Sequence, residues 1–422
     1  MTRLILALSG PAARHPGLRR LVGSGVLVAV GYIDPGNWAT DIAAGAGFGY
    51  GLLTVVFAAA LLAMGFQVLV ARLALATGED LATLTARHLP RRAAGAAWLA
   101  GEAAILATAL AELIGGAIAL RLLFGLPLLA GVAVTGIATF TVFYIARGQV
   151  ARHEQVIAVL LGIVALSFVV LLAEARPDPA AVIQGGARGG RALADPQGFM
   201  IALGILGATL MPHNLYLHSG TLAQRARGLP AELRGTAFRL ARHDIMISLG
   251  IAMLVNAAIL IVAAASLSGQ GPAVANLDTA HAAIGQTLGT GAALLFALAL
   301  YAAGQSSTIT GVMAGKILSS GFERGTQLSA SRRALITRIA AALAAAGMLM
   351  AGGGQDPDGI LVLSQVILSL ALPFALIPLV LLACRGDVMG RWKLHGGWAW
   401  AAMACTAGIV LLDAYLLIDM LA

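Results

Sequence analysis

The fold of this chain is decided by the stretch Asp34-Pro35-Gly36-Asn37, which lies in the middle of its first long apolar segment. Proline has no N–H to donate and its ring clashes with the carbonyl four residues earlier, so a helix through this stretch must break. The break frees the carbonyl oxygen of Gly31 from its helical partner. A carboxylate at the centre of a membrane-spanning helix costs about 2.5–3.5 kcal/mol. Asp34 is therefore a candidate functional group.

A second apolar segment is broken by Met211-Pro212-His213-Asn214, which repeats the order of a proline, one residue and an asparagine. Pro212 frees the carbonyl oxygen of Ala208 in the same way. Together the breaks offer a carboxylate, an amide, a thioether, an imidazole and two loose carbonyls, all of which suit a cation. Broken helices at matching places in two halves of a membrane protein indicate the binding site of a transporter.

The composition indicates an all-α polytopic membrane protein with a single transmembrane domain, 1–422. Of the 422 residues, 59% are hydrophobic and 11% are charged, whereas roughly 25% are charged in soluble proteins. Apolar stretches long enough to cross a bilayer recur along the whole chain. We predict eleven transmembrane helices, at approximately 22–45, 50–76, 94–123, 126–146, 153–175, 197–222, 244–268, 289–317, 333–352, 358–383 and 396–420.

The distribution of basic residues predicts the topology. A formal net charge of +8 would suggest a nucleic-acid partner for a soluble protein, but here the basic residues follow the loops. With the N-terminus in the cytoplasm, the positive-inside rule is obeyed. The outer side then receives Arg121, Arg176, Arg188 and Arg191, and the remaining loop cations are cytoplasmic. Eleven spans place the C-terminus outside, and we expect no nucleic-acid partner.

The predicted spans form an internal repeat. Spans one to five and six to ten each begin with a broken helix, and an odd number of spans inverts the second unit relative to the first. The two units cover approximately 18–175 and 197–383, with an extra helix at 396–420. Inverted five-helix repeats with broken helices one and six, and with the substrate bound where these meet, describe the leucine-transporter-like fold.

The two breaks and their surroundings resemble the signatures of the Nramp family of divalent metal transporters. The resemblance rests on the ranges 31–40 and 207–219, and it continues through 77–81, 111–112, 364–365 and 372–374. It implies a secondary active transporter, not an enzyme, that imports Mn²⁺ or Fe²⁺ by alternating access and couples the metal to protons. It also implies a bacterial inner membrane, the metal as substrate with no cofactor, and no obligate protein partner.

The chemistry of the breaks agrees with that metal preference. Asp34 supplies a hard anionic oxygen, Asn37 and the carbonyl of Ala208 supply neutral oxygens, and Met211 adds a soft sulfur. A thioether contributes little to Mg²⁺ or Ca²⁺, so this set favours Mn²⁺, Fe²⁺ and softer ions. Two alternatives stay open: Met211 could serve packing alone, and Asn37 could merely cap the second half-helix.

Gln365 is a polar residue among apolar neighbours in the tenth span. Its side chain could complete the coordination of the metal in the occluded state. Alternatively, its amide could tie two helices together by hydrogen bonds. The sequence favours neither.

A second group of polar residues at bilayer depth indicates a route for protons. Glu112 in span three and Arg338 in span nine would each be prohibitive alone, so we expect them to pair, whether for proton transfer or for helix packing. His213 can gain or lose a proton near neutral pH, whereas His218 is expected to be structural. The resemblance implies that Asp34, His213, Glu112 and Arg338 form the proton pathway.

The chain departs from the family pattern just before Glu112. Typical members carry an aspartate in a Thr-Asp-Leu-Ala-Glu context, and this chain has Ala109 at that place. One titratable step is therefore missing, although Glu102 remains seven residues before Ala109 on a similar helix face. We expect proton coupling that is present but weaker than in relatives with the aspartate.

Other functions fit the sequence less well. A magnesium-selective relative of the same fold is expected to lack the ligating methionine, and a proton-uncoupled relative is the other alternative. An amino-acid symporter would want a glycine-rich break without Asp34. An intramembrane hydrolase would need a motif such as Gly-x-Ser-x-Gly or His-Glu-x-x-His, and neither occurs.

Overall fold

The structure, a computed structural model, describes residues 16–145, 150–267, 276–322, 330–351 and 357–421. The ends of the predicted single domain 1–422 and the segments between these ranges lie outside the described residues. The described α-helices are α1 Pro16–Arg19, α2 Ser24–Gly31, α3 Pro35–Phe48, α4 Leu53–Thr77, α5 Leu81–His88, α6 Arg91–Phe124, α7 Leu128–Ile145, α8 Val150–Ala175, α9 Pro179–Ala187, α10 Gly189–Ala194, α11 Pro196–Thr209, α12 Pro212–Arg225, α13 Arg234–Leu267, α14 Leu277–Thr287, α15 Thr290–Gly321, α16 Ala330–Ala351, α17 Pro357–Ala371, α18 Pro373–Ala383, α19 Gly386–Met389 and α20 Gly396–Leu421. Two 3₁₀ turns, Ala231–Leu233 and Gly390–Trp392, complete the set.

The predicted membrane bundle is confirmed. Eight described helices, some of them broken, are long and apolar enough to cross a membrane, and two shorter apolar helices lie at Leu128–Thr141 and Leu335–Ala351. Together with the pair α2–α3, they account for all eleven predicted spans. The chain is therefore a multi-pass membrane protein built from helices.

Both predicted helix breaks are present. α2 ends at Gly31 and α3 begins at Pro35, with Asp34 as its N-cap. α11 ends at Thr209, and α12 begins at Pro212 after an extended Met211. In each case proline occupies the first helical position, where the missing N–H costs nothing.

The tenth predicted span, 358–383, is confirmed as one apolar span, Pro357–Ala383, which is interrupted at a single residue. It divides into α17, which ends at Ala371, and α18, which begins at Pro373. The cause is the same as in the other breaks, because Pro373 cannot donate to the carbonyl four residues earlier.

The seventh predicted span, 244–268, begins too late. α13 begins at Arg234, ten residues before the predicted start of the span. Further along the same helix, Asp244 reaches the start of α2, where one of its carboxylate oxygens accepts hydrogen bonds from the backbone N–H groups of Gly23 (3.0 Å) and Gly25 (2.8 Å).

The helices around the first break are tightly packed. α3 packs along α13, and Trp38 lies edge-on against Phe168 of α8 and Phe296 of α15, with ring centroids 5.1 and 5.2 Å away. A Cβ on Gly115 of α6 would come within 2.3 Å of the Pro35 ring. The broken stretch is thus held from several sides by rigid elements, which fixes the position of its polar groups.

α20 lies at the edge of the bundle and packs against α18 and α11. Asp413 of α20 is buried and accepts a hydrogen bond from Ser369 of α17. A carboxylate inside a membrane span needs such a partner.

Candidate metal centre

Asp34 lies at the first break with one oxygen engaged and one oxygen unpaired. Its Oδ1 accepts hydrogen bonds from the backbone N–H of Asn37 (2.9 Å) and from Asn37 Nδ2 (2.8 Å). Its Oδ2 is buried and has no hydrogen-bond partner among the described residues. An unsatisfied buried carboxylate oxygen is costly. Asp34 is therefore suited to hold a cation.

Asn37 joins the two breaks. Its Nδ2 lies between Asp34 Oδ1 and the carbonyl oxygen of Ala208, to which it donates at 3.1 Å. Thr209 Oγ1 donates to Asn37 Oδ1 at 3.3 Å. The amide hydrogens of Asn37 thus occupy the space in which a cation would contact Asp34 Oδ1 and the carbonyl oxygen of Ala208. The alternative that Asn37 caps the second half-helix is wrong, because Asp34 is the N-cap of α3.

Met211 is buried at the second break, within reach of polar groups. Its Sδ accepts a weak hydrogen bond from Asn214 Nδ2 at 3.6 Å. A Cβ on Gly31 would come within 2.4 Å of that same amide, so the first break needs a glycine there. The carbonyl region of Gly31, the thioether and the Asn214 amide therefore meet between the two breaks. The sulfur lies in a polar environment rather than in a purely apolar one.

Gln365 of α17 reaches the first break. Its Nε2 donates to Ser364 Oγ at 3.0 Å, and its Oε1 is buried without a hydrogen-bond partner among the described residues. A Cβ on Gly36 would collide with the Gln365 amide. The observed hydrogen bond stays within α17, so the alternative in which the amide bonds two helices together is not realised in this structure.

A cavity of about 290 Å³ opens on one side of the breaks. It is lined by Thr40 of α3, Gln197 of α11, and Gln365 and Ser369 of α17 among others. The cavity runs from the beginning of α11 to Gln365, which faces the site. The cavity on the α3–α11 side therefore stops short of Asp34, whose side chain is fully buried.

The opposite side of the breaks is closed by a clamp of charged residues. Arg225, at the end of α12, donates to the carbonyl oxygens of Arg20 (3.0 Å) and Val22 (3.3 Å) and pairs with Glu154 of α8. Asp244 of α13 binds the start of α2, as described above. Since α2 and α12 are the half-helices on this side, the clamp holds both of them against the bundle.

Replacing Arg225 with glutamine is expected to open the α2–α12 side. Hydrogen bonds to charged groups contribute about 1.5–3 kcal/mol, so their loss should raise the open population about tenfold or more. A reporter cysteine at the buried Ala29 of α2, with Cys384 and Cys405 changed to serine, would label faster with a membrane-impermeant maleimide. Unchanged labelling would mean that the clamp does not hold α2. Arg227→Gln, a nearby arginine outside the clamp, is the control.

Glu112 and Arg338 form the expected ion pair. Arg338 Nη1 donates to Glu112 Oε2 at 2.5 Å, and the guanidinium also donates to the carbonyl oxygen of Thr308 at 2.9 Å. The other carboxylate oxygen, Oε1, has no hydrogen-bond partner within the described ranges. The pair joins α6, α15 and α16, and it keeps one oxygen able to accept a proton.

His213 lies between the second break and α6. Its Nδ1 is 3.2 Å from Thr108 Oγ1, one turn before Glu112, and its Nε2 is buried and unpaired in the part of the chain that the structure describes. His218 instead bonds to Gln67 Oε1 at 2.8 Å. The structure thus connects His213 to the helix of Glu112, while His218 has the helix-bridging contact expected of a structural residue.

Glu102 and Ala109 lie two turns apart on the face of α6 that packs against α16. Glu102 lines a small cavity of about 10 Å³ together with Arg338 and Thr337, at the lower limit for one water molecule. Ala109 packs in an apolar cluster with Leu113 and Ala341. Glu102 therefore shares a small cavity with Arg338, whereas Ala109 lies among apolar side chains.

Two buried carboxylates were missed from sequence. Asp41 lies two helical turns after Asp34 on α3, is buried, and has an Oδ2 without a hydrogen-bond partner in the described chain. Its presence inside an apolar span was a sufficient signal. Asp244 stands at the predicted start of a span, where a carboxylate is unremarkable, so only the structure reveals its contact with α2. Thr108 and Thr209 carried no sequence signal of their own, whereas Asn214 was marked by the second Pro-x-Asn motif but was given no role.

The arrangement defines the class of this protein. Two broken helices meet in an all-helical membrane bundle, and their unwound ends enclose unpaired polar atoms, as in secondary transporters. Among the described residues there is no group of three or more His, Cys, Asp or Glu side chains that could hold a metal. The two breaks instead bring together one carboxylate with amide, carbonyl and thioether groups.

The chain belongs to the Nramp family (natural resistance-associated macrophage protein-like), which matches residues 25–419. It is 45% identical over 399 residues to the divalent metal cation transporter MntH of Brucella suis, covering 94% of this chain and 87% of that one. It is 42% identical over 397 residues to MntH of Agrobacterium fabrum, covering 92% and 86% of the two chains.

Solved structures agree with this assignment. The manganese transporter of Eremococcus coleocola superposes with a TM-score of 0.82 at 32% identity, covering 96% of this chain and 87% of that chain. A transporter of the nucleobase-cation-symport family superposes with a TM-score of 0.61 at 18% identity, covering 94% and 87% of the two chains. The second likeness concerns the fold alone and extends the leucine-transporter-like architecture to this chain.

Proposed function

We propose that this protein imports divalent transition metal ions, Mn²⁺ or Fe²⁺, into the cytoplasm by alternating access. The observation that carries the proposal is the unpaired, buried Oδ2 of Asp34 in the gap between two helix breaks, one of which presents Met211. The names of the related proteins, divalent metal cation transporter and manganese transporter, support the same class of substrate. The metal is the cargo and not a resident cofactor.

The proposed ligands are the side chains of Asp34, Asn37 and Met211 and the carbonyl oxygens of Ala208 and Gly31, with Gln365 joining when the site closes. Metal binding requires the Asn37 amide to turn, so that its oxygen replaces the Nδ2 that now bonds Asp34 and Ala208. Turning the amide also releases the hydrogen bond from Thr209. The site thus exchanges internal hydrogen bonds for coordination bonds.

The two sides of the site support alternating access. The clamp around Arg225 closes the side of α2 and α12, while the cavity beside Gln197 and Gln365 leads inward from the α3–α11 side. With the positive-inside orientation, the clamp is cytoplasmic and the cavity faces outward. Import then consists of metal entry through the cavity, closure over the site, and release of the clamp.

Proton coupling is part of the proposal. A carboxylate that binds a metal must be deprotonated, so metal arrival displaces any proton that Asp34 holds. The contacts of His213 with Thr108, of Glu112 with Arg338, and the small cavity beside Glu102 support a route away from the site. Because Ala109 is packed among apolar side chains, we expect this route to be less strictly coupled than in relatives with an aspartate there.

Uptake into proteoliposomes tests the function. Purified protein should take up Mn²⁺ or Fe²⁺, and excess Mg²⁺ or Ca²⁺ should compete poorly. Transport of Mg²⁺ in preference to Mn²⁺ would establish the magnesium-selective alternative. Mn²⁺ uptake without any change in internal pH would establish the proton-uncoupled alternative and remove the proton route from the proposal.

Met211→Ala is expected to relax selectivity. A thioether discriminates against hard cations, so its loss should retain part of the Mn²⁺ uptake while Ca²⁺ or Mg²⁺ uptake rises by about tenfold. Parallel uptake of the three ions is the measurement, and Met348→Ala, in α16 and outside the breaks, is the matched control. Rejection of Ca²⁺ at the wild-type level by Met211→Ala would place selectivity elsewhere.

A further inference from the structure

A large groove lies on the surface of the bundle, away from the candidate metal centre. It has a volume of about 630 Å³ and is bounded by α4, the first turns of α13 and the beginning of α20. Its walls are mainly apolar side chains, among them Leu61, Leu69, Met246, Leu394 and Ala402. Two arginines, Arg72 and Arg242, also line it.

The length of the groove matches one leaflet of a bilayer. On α4 its lining extends from Leu61 to Arg72, which is about 16 Å at a rise of 1.5 Å per residue. The hydrocarbon core of a bilayer is about 30 Å thick. An apolar groove of half that depth, open at the lipid-facing edge of a membrane protein, fits an acyl chain of a single leaflet.

The charge at one end of the groove is positive and uncompensated. Arg72 Nε and Nη2 donate to the carbonyl oxygens of Trp392 (2.7 Å) and Lys393 (3.2 Å), which fix the guanidinium but carry no net charge. Within the described chain, neither Arg72 nor Arg242 forms an ion pair. Trp398, 79% exposed, lies in the same wall, as tryptophans do at membrane interfaces.

We propose that this groove binds an anionic glycerophospholipid, with an acyl chain along α4 and the phosphate between Arg72 and Arg242. Basic pockets between transmembrane helices are suited to anionic headgroups. The apolar body fits a chain, and the cationic end at headgroup depth selects a negative charge. Because α20 packs mainly on α18 and α11, the lipid would fill the space between α20 and the rest of the bundle.

Native mass spectrometry of the detergent-purified protein tests the proposal with two probes, phosphatidylglycerol and phosphatidylcholine. The wild type is expected to retain one phosphatidylglycerol in preference to phosphatidylcholine. Arg242→Gln should weaken phosphatidylglycerol binding about fivefold, the effect of one arginine near a headgroup. Arg391→Gln, an exposed arginine of the neighbouring turn that does not line the groove, should leave it unchanged.

A second variant addresses the apolar part of the groove. Ala402→Trp should fill it and displace the lipid while leaving both arginines in place. Mn²⁺ binding of each variant reports whether the bundle is intact. Equal retention of the two lipids by the wild type, or unchanged phosphatidylglycerol binding in both intact variants, would overturn the proposal. The proposal would also be overturned if the wild type carried no bound lipid and formed a dimer that Ala402→Trp disrupts. The groove would then be an interface between two copies.

Discussion

Replacing Asp34 with alanine is expected to weaken Mn²⁺ binding by more than about 100-fold, beyond what loss of an outer-shell partner costs a metal site. Asp34 supplies the only full negative charge among the proposed ligands, and its Oδ2 is already free of hydrogen bonds. Isothermal titration calorimetry on the purified variant measures the affinity. An Asp34→Ala protein that binds Mn²⁺ like the wild type would remove Asp34 from the proposed site.

Two further variants separate charge from folding in that experiment. Asp34→Asn keeps an oxygen that can cap α3, since asparagine is as good an N-cap as aspartate. It should therefore fold normally and still lose most of the affinity. Asp41→Asn changes another buried carboxylate of α3, two turns away from the break, and is the matched control. Equal losses in Asp34→Asn and Asp41→Asn would indicate a general effect on α3 rather than ligation.

Glu112→Gln is expected to reduce proton flux about tenfold or more while metal uptake falls much less, because an amide cannot accept and release the proton. One carboxylate oxygen of Glu112 pairs with Arg338, and the other has no hydrogen-bond partner among the described residues. The measurement is simultaneous recording of internal pH and Mn²⁺ in proteoliposomes under an imposed voltage. An intact proton signal in Glu112→Gln, or none in the wild type, would contradict the proposed route.

The Glu112→Gln experiment needs a control for stability, because Glu112 forms a buried ion pair with Arg338. Removing one partner of a buried ion pair costs about 3–5 kcal/mol, because the remaining charge is left uncompensated. Glu112→Gln leaves the buried charge of Arg338 uncompensated, so the double variant with Arg338→Gln should recover much of the lost stability. If the double variant regains stability and still lacks proton flux, the loss comes from the missing carboxylate and not from a damaged bundle.

The elements that the sequence predicted well are those with local causes. A proline breaks a helix through its own ring and missing N–H, so the breaks at Pro35 and Pro212 needed no knowledge of the fold. The pairing of Glu112 with Arg338 followed from the cost of an isolated charge in lipid. Pro373 interrupts its span by the same local rule, although Pro378 lies inside α18 without ending that helix.

Other features depend on contacts between distant parts of the chain. The orientation of the Asn37 amide is set by Ala208 and Thr209, which lie more than 170 residues away. The contact of Asp244 with the start of α2 joins residues more than 200 positions apart. Gln365 approaches Gly36 only because α17 packs against α3. No periodicity or motif encodes these distances, so the roles of these groups emerge from packing alone.

The side-chain amide of Asn37 donates to both Asp34 and Ala208. This arrangement affects how the empty transporter returns to its starting conformation. After releasing the metal, a transporter must return to its outward-facing state with an empty site. An uncompensated carboxylate in that site would slow this conformational change. The hydrogen donated to Asp34 offsets part of the negative charge, and the one donated to Ala208 satisfies the free carbonyl, so the vacated site can close. We therefore expect the protein to sustain net accumulation of metal and not merely one-for-one exchange across the membrane. In a variant with Asn37 replaced by alanine, exchange of labelled metal should outlast net uptake.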